Sequence, residues 1–347
     1  MIVFNKHYKT LWFSNRTLYM IDQNSLPFEF RIIELKTTDQ VCEAIKNMTV
    51  RGAGAIGVAA AYAMVIASNE VKSESELKLK YNQIASTRPT AVNLIHGLNE
   101  VFSKALESST AAQIAAEKFA DDDENQCKNI ASYGETLIPD EATIMTHCNA
   151  GWLAFTDWGS ALAPIYKAVE NGKRVTVLVS ETRPRLQGAR LTAWELYQQG
   201  IEHRIITDNA AAWIMGSQKV DLIITGADRI ALNGDTANKI GTLDKAIAAK
   251  YYKIPFYVAA PLTTFDKECQ TGKEIVIENR TQQEVTHFEG ITKQKTTEQI
   301  MISNPESLAI NPAFDITPNT LISQYITPTG LLPACKIISL KNISRQS

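Results

Sequence analysis

From about residue 135 onward, short apolar runs alternate with helix-like stretches, and this alternation constrains the fold more than any other feature of the chain. The apolar runs fall at 142–146, 174–179, 203–206, 221–225 and 255–260. The stretches between them, at 152–170, 187–199, 208–216 and 237–252, read as helices. Strand and helix in alternation imply right-handed βαβ units and a parallel sheet. Before residue 135 the pattern differs. Residues 1–35 read as short strands and turns. Val41, Ala44, Ile45 and Met48 share one face of a helix over 40–48, for which Asp39 is the expected N-cap. Residues 55–68 are nearly all apolar, which predicts a buried helix. Polar helices are expected near 74–86 and 110–131, and the run Asp121-Asp122-Asp123-Glu124 reads as a solvated helix turn. The expected fold is α/β: a small, mainly helical N-terminal domain with short strands over residues 1–130, then a Rossmann-like parallel-sheet catalytic domain over 131–347.

A length of 347 residues favours two domains, and a hydrophobic content of 45% can supply full cores. The net charge of −2 gives no basic field for nucleic acid. No apolar run of about 18 residues lacks polar breaks, and residues 1–10 carry no signal-peptide apolar region, so no membrane partner is expected. The five cysteines, Cys42, Cys127, Cys148, Cys269 and Cys335, are dispersed and odd in number. They show neither zinc spacing nor a disulfide framework, and a reducing cytoplasm is the expected setting.

Open α/β sheets bind ligands beyond the carboxyl ends of their strands. Three strand ends here carry chemistry. After 142–145 comes Thr146-His147-Cys148-Asn149-Ala150-Gly151. Cys148 can be read as a buried structural cysteine, a redox cysteine or a catalytic thiol. The strand-end position, with a helix N-terminus expected to lower its pKa, favours the third. His147 is adjacent, but neighbours on a strand point to opposite faces, so no Cys–His dyad is inferred. After 221–225 comes Gly226-Ala227-Asp228-Arg229. Asp228 can pair with Arg229, cap a helix, or act as a general acid if apolar surroundings raise its pKa. After 174–179 comes Ser180-Glu181-Thr182-Arg183-Pro184-Arg185-Leu186-Gln187-Gly188. A thiol and a carboxyl at neighbouring strand ends can move a proton between two positions of one small substrate.

Gly52-Ala53-Gly54-Ala55-Ile56-Gly57 matches the dinucleotide pattern G-x-G-x-x-G, but the segment before it is helical rather than a strand. Beside Arg51, the same glycines make either a phosphate site at the start of the 55–68 helix or a tight helix contact. Pro89 keeps Arg88 out of helical geometry, so its guanidinium is either aimed at a phosphate or placed at a helix boundary. Asn238 and Lys239 can hold a hydroxyl and a phosphate. Two loop carboxylates, Asp228 and Asp235, are a thin basis for Mg²⁺, and no cluster fits zinc. No metal and no cofactor is expected.

Taken together, these segments resemble the S-methyl-5-thioribose-1-phosphate isomerase family, whose fold is shared with translation initiation factor two-B regulatory subunits. The resemblance also takes in Met20-Ile21-Asp22-Gln23, Thr87-Arg88-Pro89-Thr90-Ala91-Val92-Asn93-Leu94, Asn233-Gly234-Asp235, Asn238-Lys239-Ile240-Gly241 and Asn311-Pro312-Ala313-Phe314-Asp315, and so covers nearly the whole chain. It implies a metal-free aldose–ketose isomerisation in methionine salvage, with a small phosphosugar as substrate and a homodimer as the assembly. It implies Cys148 and Asp228 at the reacting carbons, and Arg51, Gly52, Ala53, Arg88, Gln187, Asn238 and Lys239 around the phosphosugar. The family usually carries proline where this chain has Gly54, which adds an N–H donor and is expected to loosen that loop. A relative acting on 5-deoxyribose 1-phosphate needs the same site with another 5-substituent. A regulatory subunit of this fold needs no thiol–carboxyl pair, and the glycine context argues against an oxidoreductase. Trp152, Phe155 and Trp158 are the expected apolar wall at the C5 end of the sugar.

Overall fold

A computed structural model describes residues 1–89 and 91–334. The chain opens with an antiparallel pair, β1 (Ile2–Val3) and β2 (Lys6–His7), and an antiparallel sheet of β3 (Leu11–Ser14), β4 (Thr17–Ile21) and β5 (Ile32–Leu35). Helices follow: α1 (Thr38–Lys46), α2 (Ala53–Glu70), α3 (Glu74–Ala85), α4 (Val92–Glu107) and α5 (Ser109–Glu135). The cap of α1 is Thr37, not Asp39. Thr37 Oγ1 accepts from Gln40 N, and Gln40 Oε1 accepts from Thr37 N at 3.1 Å, so both sides of a capping box are filled. Asp39 stands in the first turn instead. α2 has the length and hydropathy of a membrane span, but 78% of it is buried, packed against α4 and α5. Its core, running from Leu11 to Ala120, is drawn wholly from the first part of the chain.

α5 carries the chain straight through residue 130 to Glu135, into the sheet region. There, seven strands lie in the order β17-β16-β12-β9-β6-β7-β8. They are β6 (Glu141–Thr146), β7 (Arg174–Ser180), β8 (Glu202–Ile206), β9 (Leu222–Thr225), β12 (Phe256–Ala259), β16 (Gln324–Thr327) and β17 (Gly330–Pro333). All neighbours are parallel except β16 and β17. Alternate residues feed two cores, as a pleated strand buried on both sides requires. Ile144, Val177 and Ile224 point to one core, and Met145, Leu178 and Ile223 to the other. The chain leaves β6 toward β7 and β8, then returns to lay β9 on the other side of β6. The ends of β6 and β9 therefore flank the switch point of the sheet, where such folds open a crevice. α6 (Ala163–Glu170), α7 (Ala193–Gln198), α8 (Ala211–Ser217) and α9 (Thr242–Tyr252) provide the helices of the crossovers. A small antiparallel sheet, β10 (Arg229–Ile230), β11 (Thr236–Lys239) and β15 (Phe314–Thr317), stands above the carboxyl end of β9. A hairpin, β13 (His287–Ile291) and β14 (Thr297–Met301), completes the chain together with the short α10 (Gln283–Thr286).

Three further expectations fail for identifiable reasons. Residues 152–162 are not helical beyond a single turn at Trp152–Ala154. They are apolar because they are buried, and carboxylates replace helix carbonyls as acceptors: Glu195 takes the N–H groups of Trp152 and Leu153, and Asp123 takes that of Thr156. Hence no α-helix begins directly after Cys148. Residues 236–239 form β11 rather than the start of a helix, because they pair with strands on both sides. Asp123 is not on a solvated turn; it packs inward against Thr156 and Gly54. Helix α4, over 92–107, has no counterpart in the expectations.

Candidate active site

At the carboxyl ends of β6 and β9 lies a small cleft, lined by the loops that follow both strands. Cys148 enters it on a left-handed backbone, φ +63°. That conformation is unusual for a side-chain-bearing residue and must be held by its surroundings. Here the Cys148 N–H donates to Thr182 Oγ1 at 2.9 Å, and its carbonyl accepts from Thr192 Oγ1 at 2.6 Å. The next residue, Asn149, is gripped from below, its Nδ2 donating to the buried Glu195 at 2.7 Å. From above, the Asn149 carbonyl accepts from Arg51 Nη2 at 3.1 Å, and its side-chain oxygen takes a second bond from the same nitrogen. A chain of contacts thus runs from Glu195 through Asn149 to Arg51, while Arg51 Nε is buried without an acceptor.

Gly52 follows with φ +91°, and a Cβ there would lie 2.4 Å from Ala154 Cα. Only glycine fits. The first helical bond of α2 is Ile56 N–H to Gly52 O, so the N–H groups of Ala53, Gly54 and Ala55 have no acceptor within the helix. Gly54 lies inside the first turn of α2, not in a loop. A Cβ at this position would come within 2.4 Å of both Asp123 Oδ1 and Phe155 Cδ1. Its effect is therefore close packing, not the loosening expected from the missing proline.

Asp228 approaches from the β9 side, its N–H bonded to Ala237 O at 2.9 Å. Water reaches the carboxyl inside the cleft, yet protein surrounds it on most sides. That enclosure raises its pKa from the ordinary 3.8, against the pull of Lys239, Arg88 and Arg51. Burial likewise raises the Cys148 thiol above its ordinary value of 9.0, although Arg51 and Lys239 oppose it. The thiol is therefore not pre-ionised, contrary to the helix-terminus argument. Lys239 Nζ donates to Ala313 O at 2.8 Å and lies 4.3 Å from the Phe314 ring centre. Asn238 Nδ2 reaches Thr242 Oγ1, and the buried Gln187 Oε1 has no partner.

The expected catalytic and phosphosugar-binding residues all line this one cleft: Cys148 and Asp228; Arg51, Gly52 and Ala53; Arg88; and Gln187, Asn238 and Lys239. His147 also lines it, but burial depresses its pKa to about 3, and its Nε2–H donates to Ile240 O. It is a neutral structural imidazole. Among the three aromatics expected at the C5 end, Phe155 lines the cleft, joined by Met48, Ala150 and Ala154. Trp152 is wholly buried against Trp194. Asp235 does not line the cleft; it fastens loops through Asn233, Gly272 N and Asn319 N. Among the described residues no group of three or more His, Cys, Asp or Glu could hold a metal. Glu278 and Arg280 were missed, because residues 260–313 have no periodicity to place them. Arg185 was seen as a motif member but not selected.

Fold and cleft define an α/β protein with a cationic crevice at a sheet switch point, furnished with one thiol and a carboxyl of raised pKa. The chain belongs to the initiation factor 2 subunit family, whose sequence model matches residues 49–334. Within it, the chain falls among the methylthioribose-1-phosphate isomerases. The Thermotoga maritima member is 48% identical, with 93% of this chain and 94% of that protein covered. The Acetivibrio thermocellus member is 46% identical, with 93% and 96% covered. Among solved structures, 5-methylthioribose 1-phosphate isomerase from Pyrococcus horikoshii superposes with a TM-score of 0.86 at 38% identity, covering 98% of this chain and 96% of that one. The protein described as translation initiation factor eIF-2B, subunit delta, from A. fulgidus superposes with a TM-score of 0.84 at 36% identity, covering 96% and 100%.

Proposed function

We propose that this protein converts S-methyl-5-thioribose 1-phosphate to S-methyl-5-thioribulose 1-phosphate, an aldose–ketose isomerisation in methionine salvage. The observation that carries this reading is the convergence of Cys148 and Asp228, from neighbouring strand ends, with the three cations Arg51, Arg88 and Lys239 in one cleft. The cations and the free N–H groups of α2 suit a phosphate dianion. A sugar phosphorylated on its anomeric oxygen cannot open by losing a proton from that oxygen. Opening needs a proton on the ring oxygen, and Asp228 is suited to give it because its enclosure favours the protonated form. Hydrogen then moves from C2 to C1. Cys148, held as a thiol, assists by donating its S–H toward the charge that develops at that edge; as a base it would first have to give that proton up. An enediol route needs a base for the C2 proton, whereas a hydride shift from C2 to C1 needs only stabilised charge there and loss of the 2-hydroxyl proton.

The C5 end of the sugar meets Phe155, Met48 and Ala154 in this reading. A 5-phosphate left there without a partner is costly, whereas methyl and methylthio differ by only about 1–3 kcal/mol. The decisive assay compares kcat/KM for the methylthio, 5-deoxy and 1,5-bisphosphate sugars. Preference for the methylthio sugar supports the proposal. Preference for the 5-deoxy sugar moves the protein to that neighbouring activity, and no turnover of any of the three leaves the regulatory-subunit alternative. The homodimer and the cytoplasmic setting belong to the same proposal, the first to be checked by sedimentation and the second by fractionation.

A further inference from the structure

The cleft contains a second carboxylate, Glu278, that no motif drew attention to. Its backbone is clamped into the wall: Ala313 N–H donates to Glu278 O at 2.8 Å, and Arg280 N–H to Asn311 O at 2.9 Å. This pairing continues through the bridge between Asn279 and Pro312 toward β15, which pairs with the Lys239 strand. The side chain is fixed as well. Arg280 Nη1 donates to Glu278 Oε1 at 3.1 Å, and the other guanidinium nitrogens of Arg280 bind Glu284 at 2.7–3.1 Å. Glu284 is in turn held by Arg185 and Asn311, and these partners depress its pKa to about 2, so it keeps its charge throughout the physiological range.

We propose that Glu278 is a specificity-determining residue that accepts the hydrogen bonds of the sugar's vicinal 2- and 3-hydroxyls. The proposal rests on the isomerase reading. The argument is one of complementarity. Arg51, Arg88, Arg185, Lys239 and Arg280 line the cleft and can only donate. They match the phosphate but offer nothing to a hydroxyl proton. Asp228, needed as a protonated acid, is a poor acceptor. Asn149 spends its oxygens on Arg51. Gln187 Oε1 is a buried neutral acceptor without a partner, Asn238 and Ser160 offer further neutral oxygens, and Glu278 adds a carboxyl held in place by Arg280. Charge-assisted bonds to hydroxyls are the stronger kind.

The test uses E278Q and E278D, with folding confirmed by circular dichroism. Turnover of S-methyl-5-thioribose 1-phosphate is measured beside inhibition by its 2,3-dideoxy analogue and by inorganic phosphate. In E278Q, KM should rise about 10- to 100-fold, the scale of a charged hydrogen bond. Both inhibition constants should hold or fall, because neither probe carries the hydroxyls. E278D, which keeps the carboxyl but shortens the reach, should still raise KM. An unchanged KM or an equal weakening of all three ligands overturns the proposal. Should E278Q fail to fold, E278D alone decides through the split between KM and inhibition constants. Absence of wild-type turnover overturns the isomerase reading, and this proposal with it; wild-type turnover with unaltered variants overturns this proposal alone.

Discussion

At the scale of single residues, the cleft joins groups whose protonation is set by enclosure. Asp228 and Cys148 are both pushed toward their neutral forms. Replacing either as Cys148→Ala or Asp228→Asn should lower kcat by at least about a hundredfold, the usual scale for losing placed proton transfer. Near-normal turnover in either variant removes that residue from the mechanism. Because Asp228 acts in its protonated form, kcat/KM should fall as pH rises through its elevated pKa, and that falling limb should vanish in Asp228→Asn. Arg88 makes a separate prediction. Its guanidinium lines the cleft and feels the carboxyls of Glu278 and Asp228. Arg88→Ala should raise KM at least tenfold with a smaller change in kcat, and inorganic phosphate should compete with substrate in the wild type. An unaltered KM makes Arg88 a boundary residue and nothing more.

At the scale of elements, legibility followed periodicity. The strands β6, β7, β9 and β12 were legible as apolar runs, α1 by its one apolar face and α2 by being apolar almost throughout. Thr146 to Gly151 and Gly226 to Asp228 were legible as site loops because they end such strands. Residues 152–162 were misread because a buried loop is as apolar as a buried helix; only the carboxylates of Glu195 and Asp123, distant in sequence, satisfy its backbone. Glu278 was illegible because long-range pairing with 311–313 alone brings it to the cleft. Asp123 yields a prediction at this scale. Its burial beside Thr156 raises its pKa from 3.8 to about 6. A carboxyl raised in the folded state stabilises it fully below about pH 3.8, and that contribution is lost as pH rises through about 6. Asp123→Asn keeps an acceptor for Thr156 N–H and never ionises. Its unfolding free energy should gain on the wild type between about pH 4 and 7, by up to about 3 kcal/mol. Parallel stability curves across that range would show that Asp123 is already hydrated in the folded state.

At the scale of the whole molecule, α5 has a consequence of its own. It is 27 residues long, or about 40 Å. Ala112, Ala116 and Ala120 pack into the core around α2, and Ile130 packs into a core of the parallel sheet. One rod is thus a structural member of both halves. Neither half can melt while the other stays native without fraying a helix whose remaining turns are still packed, and helix propagation resists a break in its middle. Calorimetry should show a single endotherm with equal van't Hoff and calorimetric enthalpies. A proline placed at an exposed turn of α5, such as Asp122→Pro, should split that endotherm in two. Cooperativity in this protein is, on this view, carried in part by one continuous helix, beside the packing of Val3, Ile21 and Leu26 into the sheet core.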